Sequence, residues 1–438
     1  MSSAHVGKHL RRLRIRAFRD RLRESLLVVP AAMLVGSIVV AIVLGAIDRA
    51  YTSRQLSWTF VFAPGTASTL LATIADATIT TAGVVFSLLV VSLQLASGQF
   101  SPRVLRGFWR DQYGQVLIGL LLSTFAFCVF ALARLNPNAK QAPPLTVMFA
   151  LLLALASVIF IVVYLNRISR QQYVGNIVAR VAAETLALVG ELPYGPHVGM
   201  RVGEPVPAPA VESLGEPFIV RSTDDGWVQQ ISRRAVVVGA PPGGVIRLET
   251  RVGAFLVRGT PVATIWPRPA DPEASLALIH AAVIIGPART MQQDIDFGLR
   301  QLNDIALRAL SPAVNDPTTA IEVIVRIGSI MRPLVLAELP AQAVRDAHGR
   351  VLLTPFDLDH GEFISHAFDQ LRLYATAHPQ VLIAIARTLR MLRSASTISA
   401  ERPDVIAALD RELALTVACC APEMLPADRA RVEEAATL

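Results

Sequence analysis

Four stretches of this chain are long and apolar enough to cross a membrane, and that property decides most of what it can fold into. They run from about Leu26 to Ile47, Ala67 to Gln94, Val116 to Ala133 and Leu145 to Leu165, each close to the ~20 apolar residues a helix needs to span hydrocarbon. All four are expected to be helices, because a helix satisfies its own backbone polar groups where water is absent. The first run has the basic start and apolar middle of a signal peptide. Its middle is too long and no clean small-residue cleavage site follows, so it reads as an anchor. With 53% hydrophobic and 17% charged residues among 438, the chain also departs from a soluble globule, of which about a quarter is charged.

The flanks of the spans set an orientation. On one side lie Lys8, Arg11, Arg12, Arg14, Arg16, Arg19, Arg21 and Arg23, then Arg103, Arg106 and Arg110, then Arg167 and Arg170; on the other are Arg49, Arg54, Arg134 and Lys140. The basic excess marks the cytosolic side, so both termini are expected there. Tyr51, Trp58 and Phe60 fall near the outer edge and Phe108, Trp109 and Tyr113 near the inner one, where amphipathic rings concentrate. The arm 1–25 places Leu10, Leu13, Phe18 and Leu22 among its arginines. It reads either as a basic amphipathic helix on anionic headgroups or as a disordered basic tail that fixes topology.

The formal charge of +7 is concentrated in that arm. No basic stripe persists along a folded domain, and nucleic acid is not an expected partner. Lys8 and Lys140 are the only lysines, so beyond residue 140 a Walker-type phosphate loop, a Schiff base and biotin or lipoate attachment are all ruled out. Cys128, Cys419 and Cys420 are too few for a disulfide framework or a zinc cluster.

The second span differs from the others. Thr69, Thr73, Asp76, Thr80, Gly83, Ser87 and Gln94 follow steps of 4, 3, 4, 3, 4 and 7, so they form one polar or small stripe along a helix. Such a stripe faces acyl chains only at a cost, most of all at Asp76, although that residue lies near the outer end of the run, where the cost of charge falls. One reading is a pore or permeation lining around an oligomer axis; the other is close helix packing, in which small residues and interhelical hydrogen bonds hold helices together. The run stays helix-compatible to about Gln99 and stops at Ser101-Pro102-Arg103. A short basic helix, roughly Pro102 to Tyr113, is expected to follow along the inner surface.

Beyond the spans, Arg167 to Leu192 reads as a helical extension of the transmembrane unit 26–192, and the Pro- and Gly-rich stretch 193–217 as a linker. A small β module is expected over 218–270, with strands near Phe218 to Arg221, Gly226 to Ile231, Val245 to Glu249 and Phe255 to Val257. Val252-Gly253, Leu256, Gly259, Val262 and Ile265, with Asp225-Gly226-Trp227-Val228 before them, resemble the barrel-sandwich hybrid of biotinyl and lipoyl domains. Without a lysine the module has nowhere to attach such a group, and it reads as a spacer, dimer contact or adaptor, or as a generic small β-barrel. Residues 271–438 read as an all-α domain. In it Ile295, Leu299, Leu302, Ile305, Ala306 and Leu310 make an apolar face, and Asn315-Asp316-Pro317-Thr318-Thr319 announces the next helix. Later helices are expected near Gly361 to Ala377, Pro379 to Ser394, Pro403 to Val417 and Pro426 to Ala436.

The densest polar group is Gln293, Asp294, Asp296, Asn303, Asp304, Asn315 and Asp316. Asp294, Asp304, Asn315 and Asp316 are hard oxygen donors of the kind a divalent ion takes, but the cap-and-turn reading accounts for the same residues. His360, Glu362 and His366 lack the spacing of a zinc protease. No catalytic residues, cofactor or metal are expected from these patterns, and the chain does not read as an enzyme.

Two groups of segments carry a resemblance. They are Phe86-Ser87, Leu93-Gln94-Leu95-Ala96-Ser97 and Gln99-Phe100-Ser101-Pro102-Arg103, and later Gln293-Asp294, Phe297-Gly298-Leu299-Arg300-Gln301-Leu302, Ala309-Leu310-Ser311-Pro312 and Asn315-Asp316-Pro317-Thr318-Thr319-Ala320. Together they resemble the bacterial predicted membrane proteins catalogued as domain of unknown function 2254. The resemblance implies a four-span bacterial membrane protein and no activity. The expectation is therefore a multi-pass inner-membrane homo-oligomer in the lipid bilayer, acting as a channel or transport-related pore regulated by its cytosolic part. The competing reading is a membrane-anchored scaffold or sensor whose cytosolic domains bind a protein partner.

Overall fold

Long apolar sequence joined by short connections leaves the backbone to satisfy itself in lipid as helices, and the first part of the chain does so. The computed structural model describes residues 28–52, 62–99, 112–136, 139, 141–171, 174–192, 203–211, 214–399 and 402–437. They divide into two compact units, one within 15–173 and the other within 174–438.

The first unit is four helices: α1 (Val28–Thr52), α2 (Pro64–Gln99), α3 (Gln112–Ala133) and α4 (Pro144–Gln171). Each contains a segment long and apolar enough to cross a membrane: Val28–Ala50, Pro64–Val91, Tyr113–Ala133 and Pro144–Arg167. Pro64 and Pro144 open their helices, where a missing N–H costs nothing. α3 is the central element and packs on α1, α2 and α4. Its Leu117, Leu121, Phe127 and Cys128 are fully buried, Phe127 lies 5.1 Å from Phe149 of α4 between ring centroids, and Thr124 and Ser157 approach to 3.4 Å through their hydroxyls. At 36 residues, α2 is about 54 Å long by helical rise, well beyond the ~30 Å of hydrocarbon. The arm 1–25, most of the basic helix expected over 102–113, and Trp58, Phe60, Phe108 and Trp109 lie outside the described residues, as does the side chain of Tyr51.

The second unit opens with α5 (Val174–Glu191). Next come β1 (Glu204–Pro205), β2 (Phe218–Arg221), β3 (Gly226–Ile231), α6 (Arg233–Val238), β4 (Val245–Leu248), β5 (Phe255–Leu256), β6 (Pro261–Trp266), α7 (Pro272–Ala282) and β7 (Val283–Gly286). After these come α8 (Ile295–Ala309), α9 (Pro317–Leu336), β8 (Ala343–Arg345), β9 (Val351–Leu353), α10 (His360–Tyr374), α11 (Pro379–Ser399), α12 (Pro403–Ala418) and α13 (Pro426–Ala436). The strands form a six-stranded sheet in the order β1-β8-β9-β4-β6-β2 and a three-stranded sheet in the order β5-β3-β7. One apolar core, with Val220, Val228, Ile246, Val262, Ile265, Ile279 and Leu352 among its members, lies between strands of both sheets and the helices α6 and α7.

Three expectations change here. The sheets stay open, so the barrel-like closure read from 218–270 does not describe them. Strand β9 pairs in parallel with β4 and in antiparallel with β8, which extends the sheet sideways instead of returning it on itself. The stretch read as all-α also contributes β7, β8 and β9. The last two are three-residue strands around the turn that ends at Gly349, too short to show a period of two in sequence. Part of the stretch read as a linker joins the same sheet, since β1 pairs with β8 and Val206, Val211 and Leu214 pack near Trp266. The helices of the C-terminal part follow their capping signals. Asp316 caps α9 ahead of Pro317, and Asp359 with Glu362 forms a full capping box on α10.

Candidate functional site

Within the four-helix unit, the two faces of α2 are sharply different. Ala67, Leu71, Ala75, Thr78, Ala82 and Val85 are buried on the side that packs against α3 and α4. Thr69, Thr73, Asp76, Thr80, Gly83, Ser87 and Gln94 are all exposed. The stripe thus lies outside the packing of the described helices, flanked by the exposed apolar residues Ile79, Val84, Phe86, Leu88 and Val91. Two of its hydroxyls are satisfied within the helix: Thr69 donates to the Gly65 carbonyl at 3.0 Å and Thr73 to the Thr69 carbonyl at 2.8 Å. Asp76 has no hydrogen-bond or ion-pair partner among the described residues. It also lies close to the middle of the apolar segment Pro64–Val91 and not near its outer end. The helix starts earlier than the apolar run of the sequence because Pro64 opens it.

The other acidic residue of the described membrane helices is Asp48, near the end of α1, and it meets the opposite fate. It is 2% exposed. Its carboxylate accepts hydrogen bonds from the Leu145 N–H at 3.1 Å and from the Thr146 N–H and hydroxyl at 3.0 and 2.7 Å. These are free donors of the first turn of α4, at the positive end of its dipole. Sequence reasoning passed over Asp48 because it sits beside Arg49 at the edge of an apolar run and reads as a flank. The signal was available at the other end of the contact: Pro143-Pro144-Leu145 begins a helix with no capping side chain of its own, so the cap has to come from elsewhere.

The second unit contains a buried charge network at the start of α8. Asp294 is the N-cap and accepts from the Phe297 N–H at 2.9 Å. Arg289 binds it through two nitrogens, at 2.8 and 2.7 Å, and reaches Asp296 at 2.9 Å. Asp296 also accepts from Arg300 at 2.9 Å and from His366 Nδ1 of α10 at 2.8 Å; because a carboxylate only accepts, the imidazole carries its proton on Nδ1 in this contact. Asp294 and Asp296 are 4% and 2% exposed. Burial pushes the Asp296 carboxyl up, but the hydrogen bonds from His366, Arg300 and Arg289 outweigh it and hold the group well below the ordinary carboxylate range. Burial likewise works against the Arg289 charge, and Asp294 with Asp296 more than offsets it. The loop between β4 and β5 closes on this pair at Gly253. Its φ of +82° favours glycine, and a Cβ there would stand 2.4 Å from Asp294 Oδ2.

The four residues Asp294, Asp304, Asn315 and Asp316 are therefore not gathered at one point. Asp294 belongs to the arginine network, and Asp304 lies ten residues further along α8. Asn315 adopts φ 47° in the turn before α9. Asp316 caps α9 through the Thr319 N–H and hydroxyl, which hold its carboxyl below the usual range. Among the described residues no three His, Cys, Asp or Glu side chains come together to hold a metal ion. His360 and His366 point to different partners, His360 to the Ala337 carbonyl at 3.1 Å and His366 to Asp296. Of the arginines that complete the network, Arg289 was missed because its spacing from Asp294 and Asp296 crosses the turn before α8, whereas Arg300 stands one helical turn from Asp296, a spacing the sequence does show. Adjacent Cys419 and Cys420 sit at the end of α12, where burial pushes the Cys419 thiol up to about 11.

Comparison with known proteins agrees with the membrane helices. An uncharacterized protein of Mycobacterium tuberculosis (strain H37Rv) and one of Mycobacterium bovis are each 33% identical over 387 residues, which is 85% of this chain and 72% of theirs. No solved structure matches significantly. The model of a family described as predicted membrane protein, DUF2254, matches residues 23–391. With that match over most of its length, the chain belongs to the DUF2254 family of predicted membrane proteins.

Proposed function

We propose that the protein is a homo-oligomer of the bacterial inner membrane, with both termini in the cytosol, in which copies of α2 face a common axis and their polar stripes line a path across the bilayer. The observation that carries this reading is the exposed position of the stripe, with Asp76 near mid-span and without a partner among the described residues. An acidic side chain facing lipid at the centre of a span costs about 3 kcal/mol on insertion scales. Water in a path shared between copies removes that cost, and the apolar residues beside the stripe remain available for contact with neighbouring subunits or lipid. The basic excess on one set of flanks supports the orientation.

The test is ion flux through proteoliposomes of the full chain. Flux above empty liposomes is expected, and Asp76→Ala and Gln94→Leu should each lower it severalfold. Absence of flux for every ion and small solute tried would remove the pore reading.

A scaffold or sensor is the second reading, and one observation favours it. The unit beyond α4 has its own core and exposes the large apolar side chains Phe255, Val257, Phe356, Leu373 and Tyr374, more than a passive tail needs. In that reading a fragment beginning at Val174, where the unit starts, keeps its protein partner without the membrane helices.

A further inference from the structure

We infer that the path lined by α2 carries cations, an inference that rests on the pore reading above. Asp76 is the only ionisable residue among the 36 of α2. Placing several copies around an axis therefore puts a ring of carboxylates at one depth, with no basic side chain on the same helix to neutralise it. Three arginines of the unit are engaged at helix ends: Arg49 donates to the Gly45 carbonyl, and Arg134 and Arg167 lie over the rings of Phe130 and Tyr113.

Asp48 shows what this unit does with an acid that serves structure. That carboxylate is buried and its oxygens receive three donors from α4. Asp76, of the same residue type, is left exposed and without a partner among the described residues, so packing among the described helices does not account for it.

The hydroxyls leading to it point the same way. Because Thr69 and Thr73 give their hydrogens to the carbonyls of Gly65 and Thr69, what they present outward is lone pairs. Over the first three turns the stripe offers oxygen acceptors and a negative charge. A hard cation finds ligands there.

The experiment measures the zero-current potential of the full chain in planar bilayers or proteoliposomes under a KCl gradient. The expected result is a potential displaced toward the potassium equilibrium value. Asp76→Glu should keep it, Asp76→Asn should bring it close to zero with flux persisting, and Asp76→Lys should displace it toward chloride. Size-exclusion chromatography in detergent checks that each variant assembles as the parent does. A parent potential near zero or on the chloride side overturns the inference while leaving the pore reading in place, and so does unchanged selectivity in an assembled Asp76→Asn protein. If no ion or solute passes at all, the pore reading itself fails and the inference falls with it. The parent measurement decides the question even if a variant does not assemble.

Discussion

Asp48, Asp76 and Asp296 carry the same carboxylate into three surroundings. Helix-end donors satisfy the first, the second is left exposed, and arginines with a histidine surround the third. Removing one partner from a buried network leaves the others uncompensated, and that costs more than the network contributes. Asp296→Ala is therefore expected to lower stability by about 3 kcal/mol, read as urea or thermal unfolding of the second unit's signal in detergent. The pH dependence has a definite sign. The folded Asp296 pKa lies below its unfolded value, so its contribution is complete above about pH 4 and declines as pH falls toward the folded value. Between pH 6 and pH 3 the midpoint of the parent should fall more steeply than that of Asp296→Asn. Equal slopes would show that the network does not favour the ionised form.

At the scale of elements, α5 packs closely on its neighbours. It lies against α8 and α9, and at its closest point on α8 there is no side chain: a Cβ on Gly298 would stand 2.0 Å from Thr185 Oγ1 and 2.7 Å from its methyl group. Thr185 is fully buried and its hydroxyl is already bonded to the Val181 carbonyl at 2.7 Å, so it has little room to yield. Gly298→Ala is expected to destabilise by roughly 1–3 kcal/mol through overpacking. Thr185→Ala in the same chain should recover part of that loss, with a coupling of about 1 kcal/mol. Additive effects in a double-mutant cycle of unfolding free energies would mean that the two helices do not meet in this way.

For the whole molecule, the proposed assembly places one face of α2 near its copies and leaves α4 toward lipid. Val162 of α4 is 63% exposed, which makes it a control. In a background with Cys128, Cys419 and Cys420 replaced, Thr80→Cys should be joined to its copies in membranes by a short bis-maleimide, and Val162→Cys should not. Equal yields at both positions, or none at Thr80, would contradict an axis beside α2.

The sequence by itself determined the four membrane helices, the polar stripe and the capped helices of the C-terminal part, because each is a local pattern. Hydrophobic length, a period near 3.6 and an Asx-Pro start are all written within a few turns of chain. Only the tertiary structure decided which face of α2 is covered, since burial depends on where α3 and α4 lie. It also decided that Asp48 caps a helix about a hundred residues away, that His366 reaches Asp296, and that β8 and β9 complete a sheet begun at β4. Each of these is a pairing between distant segments, fixed by the donors and apolar surfaces that folding brings together. No spacing along the chain records it.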